Sequence, residues 1–363
     1  IVLGKSNTPE FGAGGSTFNE VFGKTRNPWN SSLTPAGSTG GGAAALASGE
    51  VWLAQGSDHG GSLRRPATYC SVVGLRPSPG RVTRGTVDTL FSPLSVQGPM
   101  ARNVPDVALF LDTMAGYCHL DPMTFDAPRL SFSSAVAAPQ RPHRVAFAAT
   151  IGGSPVDQET ENICRDSMRH FKNVGSKVEE ITIDLEDLED TFLALRSQEF
   201  VIDRELQLER YRDQIKPDII WNTELGLEQS IPTLAKAERA RAALYTQFND
   251  LFSQYDLIVT PGANTPAFDV ELRYPEAIDG IKLEHYMAAS TLTAAVTISA
   301  SPALSLPRLA LPPPSLPPGP GGLLGPKSLG GVGSAPVQPC QGHKWGFAQP
   351  AMPRHSREGQ EGA

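Results

Sequence analysis

The sequence lacks the features that mark nucleic-acid binding, metal sites and membrane insertion. Its 363 residues carry a net charge of -7, which does not favour binding to nucleic acid or to anionic lipid. The four cysteines are scattered without CxxC spacing, so we expect neither a zinc site nor a disulfide framework and interpret them as structural thiols of a reducing compartment. No run of about 18 apolar residues occurs, so we expect no membrane span.

A strand–helix–strand pattern lies in the middle of the chain. Residues 145–148 and 178–183 predict two buried strands, and residues 155–174 predict a helix that Ser154 caps. This pattern predicts an α/β fold, with a sheet covered by helices. The length of the chain allows one large α/β domain or two smaller ones.

Other segments are predicted from composition and capping residues. Residues 104–115 predict a buried helix that Asn103 caps, and the proline-rich residues 121–142 predict a linker. Residues 184–214 and 232–254 predict charged helices, whose mixed signs are typical of solvated faces.

The composition changes at Pro307. Proline and glycine dominate the remainder, for example in Pro312-Pro313-Pro314 and Gly319-Pro320-Gly321-Gly322. We therefore assign residues 1–306 to one folded domain. We interpret residues 307–363 as a low-complexity tail that is disordered or does not belong to the fold.

Two glycine-rich turns, residues 37–42 and 58–67, each contain a serine. They fit neither the GxxxxGK[ST] phosphate loop nor the GxSxG elbow, because Ala36 and Arg64 stand where the elbow needs glycine. A serine in an amide-lined turn indicates acyl transfer, with an oxyanion bound by the backbone N–H groups of His59, Gly60, Gly61 and Ser62. Two flexible turns with incidental serines remain the alternative.

The motifs of this stretch are spaced as in a known family. The serines Ser38 and Ser62 are 62 − 38 = 24 positions apart. The chain resembles the amidase signature family over about residues 1–307, and the matching motifs are Gly37-Ser38-Thr39-Gly40-Gly41, Gly56-Ser57-Asp58-His59-Gly60-Gly61-Ser62-Leu63-Arg64, Gly74-Leu75-Arg76-Pro77 and Gly98-Pro99-Met100-Ala101-Arg102.

This resemblance implies a fold and a set of catalytic roles. The fold would be a large mixed β-sheet covered by helices on both faces, here incomplete at both ends. Ser62 would attack the amide carbonyl, and Ser38, which would follow a cis peptide bond, would relay the proton. Gly37, Thr39, Asp58 and Arg64 would support the two turns. A lysine kept neutral by burial would be the general base.

The sequence departs from the family pattern in three ways. The family places its catalytic lysine further upstream than this sequence extends, and Lys5 and Lys24 fall in other motifs. We therefore expect this chain to be inactive or nearly so. His59 replaces a small or apolar residue, and a neighbour three residues before Ser62 need not face that serine, so we do not expect His59 to be its acid or base. After residue 307 the tail stands where the family has a further strand and a helix. A shifted reading frame, a missed splice or a wrong gene model would produce this change. Translation of the encoding DNA in all three frames tests this hypothesis, and finding no family-like strand in another frame would count against it.

We expect an amide hydrolase that needs no cofactor and acts on a small-molecule amide. Two alternatives stay open: a glutaminase-type subunit of a tRNA-dependent amidotransferase, and a non-catalytic amidase-like protein. Nucleic acid and metal are not expected as ligands. The chain could form a homodimer, and we expect it to be a cytoplasmic protein.

Overall fold

The computed structural model describes residues 2–307, and these form a mixed α/β fold. The strands in chain order are β1 (Phe18–Asn19), β2 (Gly23–Lys24), β3 (Leu53–Asp58), β4 (Val73–Arg76), β5 (Val96–Ala101), β6 (Arg144–Phe147), β7 (Lys177–Glu180), β8 (Leu257–Val259), β9 (Ala277–Ile278), β10 (Ile281–Lys282) and β11 (Ala303–Ser305). The α-helices are α1 (Gly40–Ala47), α2 (Arg64–Cys70), α3 (Val104–Met114), α4 (Phe132–Ala137), α5 (Gln158–Ser167), α6 (Arg169–Asn173), α7 (Leu188–Tyr211), α8 (Pro217–Leu227), α9 (Ile231–Phe252) and α10 (Thr291–Ile298).

The predicted α/β class is confirmed, and the strands hydrogen-bond in two principal groups. The first is an antiparallel sheet with strand order β11-β4-β5-β3. Helices α1 and α2 pack on it through a core that includes Ala43, Leu46, Leu63, Ala67 and Met100. Because β3 ends at Asp58 and α2 begins at Arg64, the second glycine turn lies between this sheet and its covering helix.

The second group is a parallel sheet with strand order β7-β6-β8, as the strand–helix–strand pattern predicts. The predicted single helix over residues 155–174 is wrong in detail, because the structure divides it into α5 and α6 at Met168. The cap is Asp157 rather than Ser154, since the Asp157 side chain accepts the N–H of Thr160.

Helix α3 lies where it was predicted, and Asn103 caps it by accepting the N–H of Asp106 at 2.9 Å. The predicted burial is wrong in part, because α3 buries only one face and Leu109 is 57% exposed. The linker predicted over residues 121–142 is wrong in part, because it contains α4. The Asp112 carboxylate on α3 accepts the N–H groups of Phe132 and Ser133 at 2.7 and 3.0 Å, which anchors the start of α4 to α3.

The mixed charges of α7 and α9 predict solvated helices. This prediction is confirmed for α9, which buries only Ala237, Leu244 and Phe248, but it is wrong for the first half of α7, which is mostly buried. Both helices pack on α10. Phe192 of α7, Leu244 and Phe248 of α9 and Leu292 of α10 share one hydrophobic cluster. Helix α7 also buries Arg196, Ser197 and Glu199, which the interpretation as a solvated face did not anticipate. These polar residues lie on a face of α7 that is turned towards the interior.

Gly98 of β5 pairs with Gly56 of β3 at a place where no side chain can fit. A Cβ atom on Gly98 would lie 2.2 Å from the carbonyl oxygen of Leu75 and 2.7 Å from Cδ1 of Leu63. We therefore expect Gly98→Ala to lower the free energy of unfolding by about 1–3 kcal/mol. Urea unfolding measures this change, with Gly4→Ala as the control because a Cβ there meets no atom within 4 Å. Equal unfolding midpoints of the two variants would contradict the expectation.

Two predictions concern the ends of the chain and membrane insertion. The predicted tail 307–363 lies outside the described residues, apart from Pro307. Within residues 2–307, no helix combines the length and the apolar character that crossing a bilayer requires.

Candidate active site

The two glycine-rich turns meet at the start of α1. The Gly37–Ser38 peptide bond is cis, which confirms the non-proline cis peptide expected at this turn. The next residue, Thr39, donates its backbone N–H to the carbonyl oxygen of Ser62 at 3.2 Å. This bond joins the turn that carries Ser38 to the turn that carries Ser62. Within residues 2–307, no hydrogen bond joins the two serine hydroxyls directly.

The Asp58 carboxylate organises the second turn. It accepts the backbone N–H groups of Gly61 at 3.0 Å and Leu63 at 3.1 Å, and two N–H groups of the Arg64 guanidinium at 2.9 and 2.8 Å. The backbone N–H groups and the bidentate arginine together occupy the lone-pair positions of this carboxylate. These hydrogen bonds to the buried Asp58 side chain therefore fix the conformation of the turn between β3 and α2.

Arg64 and Arg76 balance the buried charge of Asp58. Arg76 donates to the carbonyl oxygen of Asp58 at 2.5 Å and to its carboxylate at 3.3 Å, and all three side chains are almost fully buried. Burial would raise the pKa of Asp58, but the two guanidiniums and the hydrogen bonds hold that pKa well below its ordinary value of 3.8. Asp58 is therefore ionised at neutral pH.

One of the predicted oxyanion donors is wrong. The N–H of Gly61 is already bonded to Asp58, so it is not available to a substrate oxygen. The carbonyl oxygen of Gly60 is also engaged, because it accepts the hydroxyl of Thr293 at 2.7 Å. Among the described residues, the N–H groups of His59, Gly60 and Ser62 donate to no acceptor.

A small cavity of about 30 Å³ lies against this turn. Its walls come from His59, Gly60 and Ser62, from glycines of residues 12–15, and from Gly37. The other residues that line it come from α2, from α7 and from the segment before α10: Arg65, Arg196, Tyr286, Met287 and Ser290. Ser38 is 4% exposed and follows Gly37 of the cavity wall.

His59 lines the same cavity as Ser62. Its Nδ1 lies 3.6 Å from Oε2 of Glu199, and its ring meets the Phe192 ring edge to face at 5.7 Å. Burial lowers the pKa of His59 well below 6.5, and Arg196 and other arginines lower it further. The imidazole is therefore neutral at pH 7, and its Nε2 has no partner among residues 2–307.

No lysine lines the cavity in the part of the chain that the structure describes. Lys5 and Lys24 are exposed, and Lys24 pairs with Glu271. Lys216 is buried beside the loop that forms one cavity wall. Its ammonium donates to the carbonyl oxygen of Ala13 at 2.9 Å and pairs with Asp218 at 3.0 Å. Burial lowers its pKa, although Asp218 opposes that effect.

Sequence reasoning missed Arg65, Arg196, Tyr286 and Lys216 as residues of this region. Arg65 follows the signature arginine directly, so its position could have been noticed. Arg196 and Tyr286 lie in segments without any motif, and a hydrogen bond of 2.9 Å between them forms only when α7 packs near residues 286–290. Lys216 precedes Pro217 at the start of α8, which gives no sign of burial.

Comparison with known proteins identifies the family of this chain. The family model described as Amidase matches residues 1–311. The chain is 31% identical over 331 residues to a glutamyl-tRNA(Gln) amidotransferase subunit from Shouchella clausii, and the match covers 84% of this chain and 67% of that protein. A relative of the same description from Halalkalibacterium halodurans has the same identity and coverage.

Solved structures with the same fold cover most of the chain. A bacterial aryl acylamidase of the amidase signature family superposes with a TM-score of 0.76 at 26% identity, over 83% of this chain and 64% of that chain. The 6-aminohexanoate cyclic dimer hydrolase superposes with a TM-score of 0.75 at 23% identity, over 85% and 68%, and shows the fold alone. This chain therefore spans about two thirds of the length of its relatives.

Proposed function

This chain belongs to the amidase signature family, and from this premise we propose that it is an amide hydrolase that acts through a serine acyl-enzyme. One contact carries the proposal: the N–H of Thr39 donates to the carbonyl oxygen of Ser62 at 3.2 Å. This bond holds together the two serine turns from which the reaction would be built. His59, Gly60 and Ser62, whose backbone N–H groups donate to no acceptor among the described residues, line the same cavity.

In the proposed reaction, the Ser62 hydroxyl attacks the amide carbonyl, and as the C–O bond forms its proton passes to Ser38, which gives a proton on to the general base. Ser38 relays a proton to the amine when the C–N bond breaks. Water then attacks the acyl-enzyme, and this step releases the acid and restores the serine. The free N–H groups of His59, Gly60 and Ser62 stabilise the oxyanion in both steps, and such a donor typically contributes about 2.7–4 kcal/mol.

The general base is the missing part of this arrangement. The family assigns it to a buried lysine, and no lysine lines the cavity within residues 2–307. Neutral serine is a weak nucleophile without a base. We therefore propose that the 363-residue chain can be acylated at Ser62 but turns over simple amides very slowly.

The test uses p-nitrophenyl acetate, an ester activated enough to acylate a serine without strong base assistance. Intact-mass measurement should show one acetyl group for each chain, and peptide mapping should place it on Ser62. The same chain with acetamide and hydroxylamine should form hydroxamate far below the rates of about 1–10³ s⁻¹ that are typical of enzymes. Acetylation of other residues with none at Ser62 would refute the role of Ser62. Hydroxamate formation at typical rates would refute the missing base.

The likeness to the Shouchella clausii protein, which is described as part of a glutamyl-tRNA(Gln) amidotransferase, favours a second candidate, a glutaminase-type subunit. Such a protein would release ammonia from glutamine and would need partner chains. Co-purification with partners, together with a strong preference for glutamine over neutral amides, would separate it from a free-standing amidase. Failure of every amide and ester to acylate Ser62 would instead favour a non-catalytic amidase-like protein.

A further inference from the structure

We propose that the cavity beside Ser62 binds a carboxylate, so that the substrate is an amide with a carboxylate close to the scissile bond. This inference rests on the proposed function, because it uses Ser62 as the reacting group. The observation behind it is a pair of buried arginines, Arg65 and Arg196, that line the cavity and whose hydrogen bonds go to neutral groups.

Arg65 is the more informative of the two. It is 3% exposed, and its Nη1 donates to the hydroxyl of Ser290 at 2.6 Å. Its Nε is buried and has no hydrogen-bond partner among residues 2–307. The Arg65 side chain also packs on the turn of Ser62, since its Cδ lies 3.1 Å from the place where a Cβ on Gly61 would stand. A buried guanidinium with an unused donor beside a cavity needs an acceptor.

Arg196 reaches the same cavity from α7. It is 5% exposed, and its guanidinium stacks on the ring of Phe200 at 4.5 Å. Its Nε donates to the amide oxygen of Asn222 at 3.1 Å, and its Nη2 donates to the hydroxyl of Tyr286 at 2.9 Å. These partners fix the position of the guanidinium but do not neutralise its charge.

The protein's own acids do not balance these charges. Within residues 2–307, no carboxylate lies within 4 Å of either guanidinium. Asp58 is already shared by Arg64 and Arg76. Glu199 contacts His59 and Ser92, and burial raises its pKa although the charges of Arg84 and Arg196 oppose this shift, and it makes no ion pair with Arg196 within 4 Å. Buried charges are costly unless they are paired, so an anion in the cavity would complete the site.

The size and chemistry of the cavity favour a carboxylate. About 30 Å³ admits a small polar head rather than a whole substrate. Guanidinium N–H groups match carboxylate oxygens in geometry and charge. Because Ser62 lines the same cavity, the carboxylate would lie a few bonds from the amide carbon. The carboxylate can belong either to the acyl part of the amide or to its amine.

Binding measurements test the proposal separately from catalysis. Calorimetry with the Ser62→Ala chain compares succinamate and glutaramate, which carry the carboxylate on the acyl side, with their methyl esters. N-Acetylglycine and its methyl ester test the amine side. In at least one series the acid should bind about 10- to 100-fold more tightly than its ester. Equal affinity of acids and esters in both series would overturn the proposal, whatever the fate of the acyl-enzyme.

Arginine variants of the same chain locate the effect. In Arg65→Met the preference for the acid should fall at least about tenfold while ester affinity stays the same, and Arg65→Lys should recover part of the preference. Arg26→Met is the matched control, because Arg26 is exposed, pairs with Glu271 and does not line the cavity. Circular dichroism confirms that each variant is folded. An acid preference that survives in both Arg65→Met and Arg196→Met, or that Arg26→Met also removes, would overturn the proposal.

Discussion

Asp58→Asn is expected to lower the free energy of unfolding by about 3–5 kcal/mol. The substitution keeps the shape of the side chain but removes its charge. Arg64 and Arg76 would then be buried without a counterion, although both have almost no access to water. The NH2 group of asparagine would also place N–H donors at one of the two oxygen positions that now accept from Gly61 and Leu63, so one of these backbone N–H groups would lose its acceptor.

Urea unfolding at pH 7 measures this loss, and Glu284→Gln is the matched control. Glu284 also pairs with a cation, Lys282, but both side chains are exposed, so its loss should change stability by no more than about 1 kcal/mol. A loss for Asp58→Asn that is no larger than that of the control would contradict the expectation.

The difference between wild type and Asp58→Asn should depend on pH. The pKa of Asp58 is lower in the folded chain than its ordinary value of 3.8, so the carboxylate stabilises the fold fully above that value. As the pH falls below about 4 towards the lower folded pKa, this contribution is lost in wild type but not in the variant. The two unfolding free energies should therefore converge in acid, while a constant difference between pH 7 and pH 3 would argue against an ionised Asp58.

Ser62→Ala is expected to remove acylation of the chain by p-nitrophenyl acetate, leaving no acetyl group at position 62. The alanine has no oxygen to attack the ester, so the loss should be complete rather than partial. The backbone N–H at position 62 remains, and so does the carbonyl that Thr39 contacts. The variant therefore separates the nucleophile from the structure of the turn.

Ser57→Ala is the matched control, because Ser57 lies in the same stretch on β3 and does not line the cavity. It should be acylated like wild type, and both variants should unfold at similar urea concentrations. Acylation of Ser62→Ala at the rate of the control would assign the nucleophile to another residue.

The parts of the site that are local in sequence could be predicted, and the parts that depend on packing could not. The glycine turns and the cap at Asn103 depend on neighbouring residues, and the cis peptide before Ser38 was expected from the resemblance to the amidase signature family. The engagement of the Gly61 N–H was not predictable, because it depends on the direction in which the Asp58 side chain points after β3 ends. The glycine content of the turn predicted that all four N–H groups would be available to a substrate oxygen.

Long-range contacts explain the other differences. The charges on α7 predict a solvated helix, yet Arg196 and Glu199 become interior residues once α10 and the residues before it cover that face. His59 faces the cavity because Phe192 and Glu199 of α7 lie against its ring. Nothing in the sequence near Ser62 indicates which distant helix will supply those partners.

The peptide group between Gly60 and Gly61 is held at both ends. Its oxygen accepts the hydroxyl of Thr293 at 2.7 Å, and its N–H donates to Asp58 at 3.0 Å. Rotation of this peptide plane would break both hydrogen bonds at once and leave buried polar groups unpaired, at about 1–3 kcal/mol for each group. The turn is thus unsuited to act as a conformational switch by peptide flipping. Control of the reaction would have to act on entry of the substrate or on supply of the base, while the amides beside Ser62 keep their orientation.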